Sequence, residues 1–132
     1  MKNTTFKVPI YQRVIKIVIL EDRETINNAL DTLKLSYYKD KSACSANLFI
    51  SLINDSESTE SSDYVLILKD RNNIEHEVFH LTCGIMRDNG DFLKENNEES
   101  YAYLNQYLNN KVKLAFVSLS TIEEENSNGF TN

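Results

Sequence analysis

No stretch of this 132-residue chain is apolar for long enough to cross a bilayer: the longest run, Val14 to Leu20, is broken at Lys16. No apolar segment with a small-residue cleavage site opens the chain, so a cytoplasmic location is expected. Lysine and arginine are scattered rather than clustered, and the formal net charge is −6, which argues against a nucleic-acid surface. Cysteine is nearly absent. Cys44 and Cys83 are expected as free thiols, because two cysteines without a secretory signal seldom form a disulfide framework. No internal repeat is apparent. What remains is ordinary for one globular domain with a modest core, at 41% apolar and 26% charged residues.

Histidine is also scarce, and here scarcity informs. Only two occur, and both fall in the string His76-Glu77-Val78-Phe79-His80. On a helix, residues four apart lie almost above one another, so two imidazoles at this spacing can face one metal ion while Glu77 sits beside them. A catalytic zinc site needs three protein ligands, an open position for water and a carboxylate to take that water's proton. His76 and His80 supply two ligands and Glu77 the base. The alternative is a solvent-facing or satisfied pair of helical histidines. Glu99 follows His80 by 19 positions, in the run Asn97-Glu98-Glu99-Ser100-Tyr101-Ala102-Tyr103. Tyr101, Leu104, Tyr107 and Leu108 mark the buried side of that helix, which places Glu99 at its border and Glu98 nearly opposite. Glu99 is therefore the better third ligand, against the usual role of a first-turn Glu in complementing the helix dipole.

The flanks suit a strand leading into the motif helix. Tyr64 to Lys69 reads as a strand, a polar turn follows, and a helix begins at Ile74 with Asn72 or Asn73 as its N-cap. Val78, Leu81 and Ile85 share its core face. Gly84 offers room for a second helix to approach the metal, or marks fraying near the helix end. Asp88-Asn89-Gly90-Asp91 ends it. Upstream, Arg13 to Leu20 reads as a strand, Asp22 as a cap, Glu24 to Lys34 as a helix and Ala46 to Ile53 as another strand. Residues 54–63 form a polar loop. Residues 112–119 either extend the helix from 97 to about 110 or form another strand, and the helix is the favoured reading. Residues 121–132 read as a polar acidic tail outside a single domain spanning 1–120; if ordered, the tail points to contact with a protein partner or a second copy. The expected class is α+β: a small mixed sheet of three strands or slightly more, packed on the motif helix and a following Glu-bearing helix.

Over residues 64–110 the chain resembles the gluzincin group of zinc metallopeptidases, in which HExxH on one helix is completed by a Glu on the next. The strings HEVFH and NEESYAYLNQYL are similar to small predicted metallopeptidases encoded by bacteriophages. The resemblance implies one Zn²⁺ per chain on His76, His80 and Glu99, Glu77 as general base, and a peptide or protein substrate lying along an edge strand. It implies an oxyanion-stabilising side chain as well, for which Tyr103 is the nearest candidate, although tyrosines at helical spacing usually belong to a core. If phage-encoded, the protein would act in the host cytoplasm or the virion. The chain departs from metzincins, having Met86 where those enzymes carry a third histidine, and from thermolysin-like enzymes, having Tyr103 where those carry an Asp. The expected function is a zinc-dependent peptidase. The competing readings are a non-catalytic metal-binding structural or assembly protein and a regulatory protease with a single partner as target.

Overall fold

The computed structural model describes residues 1–41 and 46–128, with side chains described for residues 1–39 and 46–120. Four strands, β1 (Lys2–Lys7), β2 (Val14–Ile19), β3 (Asn47–Ser51) and β4 (Tyr64–Leu68), form one sheet in the order β1-β2-β4-β3. β2 and β4 run parallel at its centre, with β1 and β3 antiparallel at the two edges. Three α-helices, α1 (Ile26–Thr32), α2 (Ile74–Asp88) and α3 (Glu98–Asn128), cover the two faces.

The central strands are continuous apolar runs because both of their faces are covered. Ile15, Ile17, Ile19, Tyr64, Leu66 and Leu68 point to the side of α2 and α3; Val18, Leu20, Val65 and Ile67 point to the side of α1. Lys16, which interrupts the apolar run of β2, pairs with Glu60 at 3.0 Å. The α+β class with a mixed sheet matches the expectation, with four strands. Strand β1 escaped the sequence reading because its residues alternate only between exposed and half-buried, so Lys-Asn-Thr-Thr-Phe-Lys offers no apolar stripe.

Local chemistry sets the ends of the helices. α1 begins at a capping box on Thr25 rather than at Asp22: the Thr25 hydroxyl accepts from Asn28 N, and the Asn28 side chain accepts from Thr25 N. Asn73 stands at the N-cap of α2, as expected, without a side-chain cap bond; the turn before it is organised by Asp70, which accepts from Asn72 N and the Asn73 amide. At the far end of α2, Gly90 adopts φ +85°, Gly90 N donates to Arg87 O and Asp91 N to Met86 O, the Schellman closure expected for that turn. α3 continues through 112–119 as expected and runs on through Asn128, so the first eight residues of the expected tail are helical; residues 129–132 lie outside the described residues. Among the described residues, no helix is long and apolar enough to cross a membrane.

Candidate metal centre on helix α2

α2 buries Ile74, Val78, Leu81 and Ile85 against the sheet, which leaves two flanks with different neighbours. One flank faces α3. There the Thr82 hydroxyl meets Asn105 Oδ1 at 2.9 Å, and Lys113 pairs with Glu75 at 2.5 Å. The other faces the edge strand β3, and it carries Glu77, His80 and Gly84.

His76 and His80 are both exposed, and their Nε2 atoms lie 3.3 Å apart with the rings edge-on. Ring nitrogens this close share a proton or a bound cation, since two lone pairs at that distance repel. The His80 ring is held nearly parallel to that of Phe49, at 6.4 Å between centroids and 9° between planes, and Phe49 stacks in turn on Tyr64 at 5.9 Å. Tyr64 is fully buried and donates its hydroxyl to the Asp88 carboxylate one turn past Gly84. A column of side chains from β3 and β4 thus fixes one imidazole of the pair.

Gly84 explains how the column fits. A Cβ there would stand 3.2 Å from Phe49 Cζ, so the glycine admits a β3 side chain, neither a second helix nor a frayed end. Gly84→Leu is expected to push Phe49 off α2 and to cost about 1–3 kcal/mol of stability, the usual scale of overpacking, as read by chemical denaturation. An unchanged midpoint would mean that the Phe49 packing is slack.

Glu77 is half-buried on the same flank. Burial pushes its carboxyl above the ordinary range, opposed by the nearby His76 and His80 rings and by the neighbouring Phe49 backbone. Glu77 and the two histidines therefore share one side of α2, as their spacing predicts.

Glu99 does not join them. The Thr82–Asn105 and Glu75–Lys113 contacts set α3 antiparallel to α2, and α3 packs over β2 and β1 on the flank away from the histidines. That register puts Glu99 near the C-terminal end of α2, roughly 12 Å along the axis from His80. It is exposed in the first turn of α3, beside Glu98, where a carboxylate complements the helix dipole. Tyr103 is 69% exposed on α3, neither in the core nor beside the pair. Among the described residues, no group of three or more His, Cys, Asp or Glu side chains is arranged to hold a metal ion. Two of the three ligand positions implied by the resemblance are thus together and the third is apart. Cys83 is half-buried at the margin of the core, and burial pushes its thiol up; Cys44 lies outside the described residues.

Comparison with protein-family models, with curated proteins and with solved structures found no match to this chain.

An open polar cleft of about 690 Å³ lies at the opposite end of α2 between Lys34, Tyr38, Asp55 and Arg87. Its carboxylate Asp55 is already engaged, accepting from Tyr38 OH at 2.8 Å and from Glu57 N and Ser58 N. Burial, with the Asp55 charge, pushes the Tyr38 phenol up to about 12. The folded chain therefore holds this proton more tightly than the unfolded chain, where the phenol titrates near 10. The stability that Tyr38 contributes is complete below the unfolded value and is lost as pH rises from there through about 12. Tyr38→Phe is expected to cost about 0.5–1.5 kcal/mol at pH 8 and to flatten that alkaline loss, as read by denaturation midpoints across the window. An equally steep loss in the variant would assign the alkaline sensitivity to another group.

Proposed function

We propose that the chain is a zinc-dependent peptidase in which His76 and His80 bind the ion and Glu77 is the general base. The observation that carries this reading is the convergence of two imidazole nitrogens at 3.3 Å on the open flank of α2, with the Glu77 carboxylate on the same flank. A bound zinc would lower the pKa of a water and polarise the scissile carbonyl. Glu77 would accept the proton from that water and pass it to the leaving amine. Strand β3 ends the sheet directly beside this flank, so an extended substrate segment would add to it by backbone hydrogen bonds.

The position of Glu99 favours a second reading, a metal-binding structural or assembly protein without catalysis. The two readings part on one experiment: zinc content by elemental mass spectrometry, followed by incubation of the zinc-loaded protein with β-casein, with and without chelator. One zinc per chain and chelator-sensitive cleavage fit the peptidase. Bound zinc with intact casein fits the second reading, and no zinc after loading removes both.

A further inference from the structure

Zinc favours a tetrahedron of ligands, and with imidazole nitrogens at about 2.0–2.1 Å from the ion, any two vertices lie roughly 3.3–3.4 Å apart. His76 Nε2 and His80 Nε2 stand 3.3 Å apart, so the pair already spans one edge of such a tetrahedron. The two rings are set at 80° to one another, and the Phe49 ring lies nearly parallel to that of His80 and holds it in place. Two vertices remain. Both histidines of the chain are already used, and the register of α3 on α2 keeps Glu99 at the far end of α2. Among the described residues, no group of three His, Cys, Asp or Glu side chains gathers around the pair. The surface around it is open as well. Glu75, His76, Phe79 and His80 are all exposed, Phe79 by 50%, so the outer side of the first two turns of α2 has room for another helix.

We propose that a second copy of this chain fills the two remaining vertices, so that one zinc ion is shared by two chains, each contributing His76 and His80. A two-fold axis through the ion exchanges opposite edges of a tetrahedron, and those edges have equal length. A half-site with this spacing is therefore completed by its own symmetry mate with no change in its geometry. The inference rests on the zinc-binding half of the peptidase reading and adds what closes the site. The shared ion has four nitrogen ligands and no place for water, the closed arrangement of structural zinc sites, whereas an ion held by one chain keeps open positions. The shared form is thus a resting state, and the unshared form is the one open to a substrate. Mass action selects between them: with less zinc than chain, sharing gives each ion four nitrogens in place of two, and with zinc in excess every chain holds its own. Phe79, one position from His80, is covered in the pair, which takes an exposed ring out of water.

Sedimentation velocity of the full chain tests the bridge without reference to hydrolysis, with zinc added stepwise to chelator-treated protein at fixed protein concentration. The mass is expected to double, most completely near one ion per two chains, and to return towards that of the monomer with excess zinc or with chelator. His76→Ala and His80→Ala should each stay monomeric at every ratio; both positions are exposed and alanine suits a helix, so the fold is kept. Glu99→Ala should dimerise like the wild type. Cobalt in place of zinc reports the ligand shell, and the half-loaded protein should show the strong visible bands of tetrahedral Co²⁺, absent from both histidine variants. A chain that binds zinc yet remains a monomer at half an equivalent, or a dimer that survives in His80→Ala, would overturn the proposal. The first of these leaves the peptidase reading standing. A zinc-dependent dimer whose chain leaves casein intact at every zinc level upholds the bridge and sinks the peptidase reading, so the two failures are distinguishable.

Discussion

Glu77→Gln is expected to lower peptide hydrolysis by about 10²- to 10⁴-fold, the usual contribution of a positioned general base, with zinc content equal to the wild type. The substitution keeps the size of the side chain and an acceptor oxygen, so the flank of α2 should keep its shape. What it removes is the ability to take a proton. Burial already holds the Glu77 carboxyl above its ordinary range, so ionising it costs the folded chain something, and a neutral amide relieves that cost. The metal-free variant should accordingly unfold at a temperature no lower than the wild type, a trade of stability against function common at active sites. Initial rates on casein and a thermal melt check the two halves. Full hydrolytic rate in Glu77→Gln would sink the assignment of the base.

Much of the fold was written in apolar periodicity, and the parts that were not had a physical reason for being silent. β2 and β4 are buried on both faces, which forces continuous Ile, Val and Leu, and such runs bounded by polar turns are readable. α1 and α2 carry apolar residues three and four apart for the same reason. β1 needs no apolar stripe, because it is an edge strand bound mainly through its backbone to β2. The far half of α3 was harder. Residues 123–128 are acidic and polar, a composition that reads as a tail, yet a helix started by Leu104, Leu108, Val112 and Phe116 against the core propagates at little further cost per residue.

The site divides along the same line. His76, Glu77 and His80 depend only on helical spacing within one element, and spacing is a local property that a sequence displays. Glu99 depends on which flank of α2 the next helix takes and on how far the two slide past each other. Those are settled by contacts such as Thr82 with Asn105 and Glu75 with Lys113, whose partners lie 23 and 38 positions apart and carry no joint signature. Phe49 was missed for a related reason. As an aromatic residue in a strand it announces burial, and only the sheet order, with β3 at the edge beside α2, turns it into the neighbour of His80. Gly84 was the one available hint, since a glycine inside an amphipathic helix marks close approach by something, here a phenylalanine ring.

His80→Ala and Glu99→Ala are expected to behave oppositely toward zinc. With two imidazoles as the ligands that come together, removing one leaves a single nitrogen, and affinity should fall by at least on the order of a hundredfold, since changes in the supporting shell of a metal site alone reach 10- to 100-fold. The Ala side chain at position 80 also withdraws one partner of the Phe49 ring, although β3 keeps its ladder to β4. Glu99 stands apart from the pair, exposed at the start of α3, so its removal should leave zinc affinity unchanged and cost only about 0.3–1 kcal/mol through the helix dipole. Competition titration against a fluorescent zinc chelator measures the first effect, and chemical denaturation the second. Should Glu99→Ala lose zinc as severely as His80→Ala, the zinc-bound chain must draw the start of α3 toward the histidines. The three-ligand set of the gluzincin resemblance would then form on binding, the metal being worth more to the protein than the Thr82–Asn105 register it would have to disturb.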